Sequence, residues 1–196
     1  MLLYLIVIFI SACLIAGGVS LWYNENYFLT FGLTWAAIGI IVVINAIVAS
    51  IARALPKKCA DFNKKCYIVG KKEKNFYEAL KIRKWKDKIP EIGHFTGFRK
   101  NKIAEPNNPE YIERFLLECC YGEIGHFWSS VFGFLLLLFF FISKTWIAIS
   151  IPVAIIAGIL NFLPLMTLRY NSYKLSILRA SLLKKAKLAE VKKQSA

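Results

Sequence analysis

Hydrophobic residues along this chain fall into four long stretches separated by polar segments. A helix needs about 20 apolar residues to cross the roughly 30 Å hydrocarbon core of a bilayer. The stretches that meet this length predict transmembrane helices over residues 2–22, 27–54, 124–142 and 146–168. The expected fold class is therefore an all-α integral membrane protein with four transmembrane helices, forming a single membrane domain over residues 1–196.

The polar segments inside each pair of stretches are very short. Asn24-Glu25-Asn26 separates the first two, and Ser143-Lys144-Thr145 separates the last two. Both segments predict tight turns between antiparallel helices, because a connection of this length cannot return across the membrane. The central loop, residues 55–123, and the tail, residues 169–196, are then expected on the same side.

The basic residues are concentrated in that loop and tail. The chain carries 26 Lys and Arg against 12 Asp and Glu, and 25 of the 26 basic residues lie between Arg53 and Arg114 or after Leu168. The positive-inside rule therefore predicts a cell-membrane protein with the loop, the tail and both termini in the cytoplasm. This topology accounts for the net charge of +14 without nucleic acid as a partner.

The central loop combines its lysines with regularly spaced apolar residues. Phe76, Leu80 and Trp85 recur at helical spacing and predict a basic amphipathic helix on the membrane surface. Its cations can bind anionic headgroups or a phosphorylated ligand, or they can simply snorkel around an interfacial anchor. The candidate binding residues here are Arg83, Lys84, Trp85 and Lys86.

Two further helical segments are predicted on this side. Asn108-Pro109-Glu110 is typical of a helix start, with proline at the first helical position. A helix that begins there is expected to run from the cytoplasm into the third span. The tail is predicted to form a second basic amphipathic helix, because leucines at positions 175, 178 and 182 recur among lysines.

Both histidines of the chain occur in the same pentapeptide. Glu91-Ile92-Gly93-His94-Phe95 is repeated as Glu123-Ile124-Gly125-His126-Phe127, so each imidazole follows a carboxylate by three residues. Glu and His at this spacing on a helix can touch, and the carboxylate can then orient the imidazole. Ionisable groups at the mouth of a transmembrane helix mark a functional site, although they can also snorkel or brace the bundle.

Two chemistries use such a set of residues. One is general acid/base catalysis, in which a histidine takes the proton of a hydroxyl. The other is a carboxylate–histidine metal site, built from Glu118, Glu123, His94 and His126. Acid/base chemistry is favoured because no H-E-x-x-H motif is present. A shared site also requires His94 and His126 to lie close in space.

Three sequence blocks resemble those of the bacterial glycosyl-4,4'-diaponeurosporenoate acyltransferases. The first block is Arg83-Lys84-Trp85-Lys86-Asp87-Lys88-Ile89, followed by Gly93-His94. The second contains Glu118, Glu123, His126 and Trp128, and the third contains Asn161, Pro164 and Arg169-Tyr170-Asn171. The resemblance covers roughly residues 76–175, and the order and approximate spacing of the three blocks agree with that family.

The resemblance implies transfer of a fatty acyl group to a hydroxyl of a membrane glycolipid or isoprenoid glycoside, as in carotenoid biosynthesis. It implies acyl-CoA or an acyl carrier protein as donor and membrane lipids as partners, with no cofactor. A bound metal and a homo-oligomer stay open. The implied catalytic residues are His126, Glu123 and His94, and the implied substrate-binding residues are Arg83, Lys84, Trp85, Lys86, Glu118, Asn161, Arg169, Tyr170 and Asn171.

Two other functions remain alternatives. One is a metal-dependent membrane enzyme that acts on lipids with the same histidines and glutamates. The other is a non-catalytic envelope assembly protein, in which these residues serve only the fold.

Overall fold

The computed structural model describes residues 2–89, 103–139 and 141–194. These ranges contain helices and turns and no strand, so the all-α prediction is confirmed. The helices are α1 (Leu2–Tyr23), α2 (Tyr27–Ala54), α3 (Lys71–Ala79), α4 (Ile82–Trp85), α5 (Pro109–Phe132) and α6 (Lys144–Gln194). Two 3₁₀ segments, Lys86–Lys88 and Gly133–Phe139, follow α4 and α5.

Within the described ranges, four helical segments are long and apolar enough to cross a membrane, as the sequence predicted. They are Tyr4–Tyr23, Tyr27–Ala54, Pro109–Phe139 and Lys144–Lys192. The last two exceed the predicted spans because α5 begins before the apolar stretch and α6 continues beyond it. The predicted amphipathic tail is therefore the second half of α6, a helix of 51 residues.

The turn between α1 and α2 is as tight as predicted. Asn24 adopts a left-handed backbone conformation with a φ of 53°, which asparagine tolerates better than most residues. The Asn26 side chain caps α2 by accepting a hydrogen bond from the Phe28 amide at 2.8 Å. Inside the hairpin, the buried Thr30 hydroxyl donates to the Ala16 carbonyl at 3.1 Å. These bonds hold the two helices side by side.

The helix start at Pro109 is also confirmed. The Asn108 side chain accepts hydrogen bonds from the amides of Glu110 and Tyr111, at 3.1 and 3.3 Å. It thus satisfies two of the donors that a helix start leaves without partners. From this cap α5 runs without interruption into the predicted third span as far as Phe132, where the Gly133–Phe139 3₁₀ segment takes over.

The basic segment of the central loop is helical but is not one helix. The chain breaks between α3 and α4 at Lys81, whose φ of 55° is left-handed. The break redirects the chain so that Ile82 is fully buried against Val69, Tyr77 and Tyr170. Burial of this side chain offsets the strain, which for a non-glycine left-handed residue is about 1 kcal/mol.

The described contacts form two compact units, each with its own core. Unit 1 comprises Met1–Ala54 and Gly125–Leu163, and unit 2 comprises Leu55–Ile124 and Pro164–Ala196. The core of unit 1 includes Val19, Ala37, Ile41, Leu136, Trp146, Ile149 and Val153. Unit 2 has two clusters, one around Ile112, Phe115, Leu116, Cys119 and Leu175, and one around Val69, Tyr77, Ile82, Met166 and Tyr170.

Within unit 2, α5 and α6 approach each other closely at Gly122. A Cβ atom at this position would lie 2.7 Å from the Leu168 Cδ1 atom, which is closer than van der Waals contact allows. The missing side chain therefore lets the two helix backbones approach at the level of Glu123, and this small residue serves the same purpose in many membrane helix pairs.

Candidate functional site

The centre of unit 2 is the guanidinium group of Arg169. Its Nε and Nη2 atoms donate to both carboxylate oxygens of Glu73, at 2.5 and 3.0 Å. Its Nη1 atom donates to Glu123 at 2.8 Å and to the Cys66 carbonyl at 3.0 Å. A planar guanidinium can bind in this forked manner, whereas a lysine ammonium cannot match the geometry. Arg169 thus joins α3, α5 and α6.

The Glu123 carboxylate is almost completely buried, with 3% of the residue exposed. One of its oxygens accepts from Arg169, and the other accepts from the Ser172 hydroxyl at 3.2 Å. A buried carboxylate is tolerated only when it is paired and hydrogen-bonded, and here both oxygens have partners. The sequence-predicted residues Glu123 and Arg169 are therefore in direct contact.

A second set of bonds surrounds the Tyr170 hydroxyl. Arg83 Nε donates to this oxygen at 2.8 Å, and the Tyr170 hydroxyl lies 3.2 Å from Glu78 Oε1, to which it donates. Arg83 and Lys74 form ion pairs with the same Glu78 carboxylate. Tyr170 itself is fully buried. Arg83 and Tyr170, 87 residues apart in sequence, are thus in direct contact.

The electrostatics of α3 follow from these contacts. Burial acts to raise the pKa of Glu73, but the hydrogen bonds from Arg169 and Tyr77 and the charge of Arg169 outweigh it and hold the pKa below its usual value. Burial and the hydrogen bond to Glu73 raise the pKa of the Tyr77 phenol. The hydrogen bond from Lys74, together with Arg83, lowers the pKa of Glu78 to about 2. Both carboxylates are therefore ionised near neutral pH.

The attachment of α3 should consequently resist mild acid. A carboxylate whose folded pKa is lowered stabilises the fold above its unfolded pKa, and this contribution is lost as pH falls through the folded pKa. For Glu78 the loss extends from about pH 4.5 down to about pH 2. Hydrogen exchange of the α3 amides, corrected for intrinsic rates, is expected to show equal protection at pH 7 and pH 5. A Glu78→Gln variant should lower protection at both pH values, and protection lost already at pH 5 would contradict this assignment.

In unit 1, the His126 imidazole is held by an amide. Its Nδ1 atom lies 3.2 Å from the Asn161 side-chain oxygen on α6. The Asn161 amide nitrogen donates to the Ala157 carbonyl at 3.1 Å, so its oxygen is the atom that faces the ring. His126 Nδ1 must then carry the proton and donate it, which leaves Nε2 as the basic atom.

The partner of His126 differs from the one expected from the sequence. The repeated pentapeptide suggested that Glu123 orients the ring, whereas the hydrogen bonds of Glu123 go to Arg169 and Ser172 and that of His126 goes to Asn161. The physical reason is the guanidinium charge of Arg169, which attracts the buried carboxylate more strongly than a neutral imidazole does.

The other site residues predicted from the sequence range from exposed to buried. Trp85 is half-buried and donates from its indole nitrogen to the Leu80 carbonyl at 2.9 Å. Lys86 lies 3.3 Å from the Asp87 carboxylate, and Lys84 is exposed. Glu118 is half-buried on α5, and Asn171 is buried on α6. His94 lies outside the described residues, so its proximity to His126 stays a prediction.

The predicted metal alternative draws on the same histidines. Within residues 2–89, 103–139 and 141–194, no group of three or more His, Cys, Asp or Glu side chains is arranged to hold a metal ion. The four residues named for a metal site include His94, so the complete predicted set extends beyond this part of the chain.

Three residues that bind around Arg169 and Tyr170 were not predicted from the sequence. Glu73 and Glu78 are acidic residues within a lysine-rich segment, and Ser172 follows the predicted Arg169-Tyr170-Asn171 block. A signal was available for the two glutamates, since a carboxylate among many lysines is placed where a specific cation can pair with it. The partner of Glu73, however, is Arg169, which lies 96 residues away and could not be identified by spacing.

Comparison with known proteins connects these residues to one family. The family model for glycosyl-4,4'-diaponeurosporenoate acyltransferase (CrtO) matches residues 60–181. Searches of curated proteins and of solved structures give no match to the chain. The matched range covers more than half of the 196 residues and contains Glu73, Arg83, Glu123, His126, Asn161 and Arg169. This chain therefore belongs to the glycosyl-4,4'-diaponeurosporenoate acyltransferase family, and the resemblance noted from its sequence blocks is confirmed.

Proposed function

We propose that this protein transfers a fatty acyl group from an activated thioester to a hydroxyl of a membrane glycolipid or isoprenoid glycoside, at the cytoplasmic face of the membrane. Membership of an acyltransferase family supports the type of reaction. The four apolar helices support a substrate that resides in the membrane. The donor is acyl-CoA or an acyl carrier protein.

One observation carries the proposal, namely the fixed tautomer of His126. Because the Asn161 oxygen accepts a hydrogen bond from Nδ1–H, the unprotonated Nε2 presents a lone pair that can take the proton of an acceptor hydroxyl. The Asn161 amide, unlike a carboxylate, carries no negative charge that would stabilise an imidazolium, and a neutral imidazole is the form that can act as a base. An ionisable side chain within a membrane helix also requires a reason to be there, and proton transfer provides one.

In the proposed reaction, His126 Nε2 removes the proton as the hydroxyl oxygen attacks the thioester carbonyl. The tetrahedral intermediate then collapses, the carbon–sulfur bond breaks, and the imidazolium returns its proton to the leaving thiolate. The products are an ester and a free thiol, so atoms and charge balance without an oxidant or metal. His94 is proposed as a second acid/base group or as a donor to the developing oxyanion.

Charge supports the cytoplasmic face and the type of donor. Arg53, at the end of the second span, together with the basic loop and tail accounts for 25 of the 26 Lys and Arg residues, which is the distribution of a protein whose loop and tail are cytoplasmic. Acyl-CoA and acyl carrier proteins are anionic and occur in that compartment. Lys84 is exposed on α4, where it can meet the phosphates of such a donor. Arg83 and Arg169 are committed to carboxylates and are proposed to shape the site.

Lipid analysis tests the function and separates it from a non-catalytic role. A strain without the gene is expected to lose one class of acylated lipid and to accumulate its precursor with a free hydroxyl. The wild-type gene should restore the lipid, and a His126→Ala gene expressed at the same level should not. If the His126→Ala gene restores the lipid fully, the envelope-assembly alternative is favoured. Stoichiometric zinc or iron in the purified protein would favour the metal-dependent alternative.

A further inference from the structure

Unit 2 also contains a cavity lined by side chains of its loop and helices. Its volume is about 260 Å³, and it lies between the loop that precedes α3 and the two long helices α5 and α6. Its walls include Phe62, Tyr67, Val69, Leu116 and Cys120. Ser172 also lines the cavity, and its hydroxyl binds Glu123. The cavity thus adjoins the hydrogen bonds that join Ser172, Glu123 and Arg169.

The polar side chains in the cavity wall have their donors engaged elsewhere. The Asn63 amide donates to Asp61 at 3.0 Å, and the Tyr67 hydroxyl donates to the Cys59 carbonyl at 2.9 Å. The Ser176 hydroxyl donates to the Tyr173 carbonyl at 2.8 Å. A ligand with many hydrogen-bonding groups would leave them without partners here, at a cost of about 1–3 kcal/mol for each buried group.

Arg179, a cation in the cavity wall, is likewise paired with a carboxylate. Arg179 Nε donates to the Glu113 carboxylate at 2.7 Å, and the guanidinium lies over the Phe62 ring at 5.1 Å from its centroid. Nearby, burial is the main cause that raises the pKa of Tyr67 to about 12, and neighbouring Cys and Glu side chains raise it further. The cavity therefore has a wall that is more apolar than polar, and its polar side chains already make hydrogen bonds within the protein.

We infer that this cavity binds the first part of the fatty acyl chain of the donor thioester, an inference that rests on the proposed function. A hydrocarbon chain makes no hydrogen bonds and gains free energy from burial against such walls. The pantetheine arm of the donor does not fit as well, because its amides need partners. At the roughly 30 Å³ that a water molecule occupies, which is close to the volume of a methylene group, the cavity holds about eight carbons.

Binding of acyl-CoAs of increasing chain length to the purified protein in detergent tests the inference. The shift in unfolding temperature gives the affinity for CoA, butanoyl-CoA, octanoyl-CoA and hexadecanoyl-CoA. Each buried methylene group multiplies the affinity roughly fourfold, so the affinity should rise steeply up to octanoyl-CoA. It should then level off, because longer chains exceed the cavity.

Two phenylalanine substitutions are designed to fill the cavity, and a third, outside the cavity, is their control. Ser176→Phe places a ring into the cavity from an exposed position of α6, where the fold tolerates a change, and Cys120→Phe does so from the buried wall. Both should weaken octanoyl-CoA about tenfold or more, the equivalent of roughly two lost methylene groups, and leave CoA unchanged. Ile177→Phe adds the same ring at a neighbouring exposed position outside the cavity and should behave as wild type.

Several results would overturn the inference. Affinity that is independent of chain length would indicate recognition of CoA or pantetheine alone. Equal behaviour of Ser176→Phe and Ile177→Phe would place the chain elsewhere, including the detergent micelle. Octanoyl-lysophosphatidylglycerol that binds in place of octanoyl-CoA would assign the cavity to a membrane lipid. Because no acceptor and no turnover are needed, these failures are distinct from a failure of the proposed function in the lipid analysis.

Discussion

Replacing Arg169 by alanine is expected to destabilise the protein by about 3–5 kcal/mol, because it leaves the buried Glu123 carboxylate without its cation. Glu73 would also lose its bidentate partner, and of the polar contacts described above only the Tyr170–Glu78 hydrogen bond would still connect α3 to α6. Reversible unfolding in mixed detergent and dodecyl sulfate micelles measures the free energy change. An Arg169→Ala protein as stable as wild type would contradict the described network.

Two further variants identify the cause. Arg169→Lys keeps the charge but cannot form the fork, so an intermediate loss is expected. Adding Glu123→Gln to Arg169→Ala removes the buried charge and should recover part of the stability. The double variant also separates two roles of Arg169. If it is folded but inactive while Glu123→Gln alone is active, Arg169 contributes to substrate binding as the family resemblance implied. Activity equal to that of Glu123→Gln would assign Arg169 to the fold alone.

Replacing His126 by alanine is expected to lower the rate of acyl transfer by about two to four orders of magnitude, the usual contribution of a general base. The change should appear in kcat and not in the stability of the fold, because the imidazole makes one hydrogen bond to a neutral amide. His126→Gln is the matched control for shape, since it fills similar space and cannot take up the proton. Transfer of radiolabelled acyl groups to membrane lipids measures the rate.

The role assigned to Asn161 is testable in the same assay. Asn161→Leu keeps the volume and removes the acceptor that fixes the tautomer, so a smaller loss than that of His126→Ala is expected. Combining the two substitutions should cost no more than His126→Ala alone, because Asn161 acts only through the ring. An additive loss in the double variant would contradict the tautomer argument.

The architecture was accessible from the sequence because it depends on local signals. The four spans follow from stretches of apolar residues, the start of α5 from Asn108 and Pro109, and the α1–α2 turn from Asn24 to Asn26. Each of these features is decided by a few neighbouring residues and by the cost of exposing backbone groups to lipid. The break at Lys81 was missed because burial of Ile82, a tertiary effect, decides it.

The contacts of the candidate site were less accessible for the same reason. The sequence blocks pointed to Glu123, His126, Asn161 and Arg169, but not to which of them touch. Helical spacing favoured a Glu123–His126 pair, and a guanidinium 46 residues away from Glu123 competed successfully for the carboxylate. Periodicity describes neighbours within one helix, whereas an ion pair between helices depends on packing that spacing does not encode.

The distance in sequence between Glu123 and Arg169 also sets an order of events during synthesis. Glu123 leaves the ribosome 46 residues before its cation does. At about 5–20 residues per second, the carboxylate waits for roughly 2–9 seconds without this partner. During that interval α5 cannot settle in its final surroundings as a charged helix. In the nascent chain, Glu123 of α5 therefore has to stay protonated or hydrated until α6 emerges and Arg169 can pair with it.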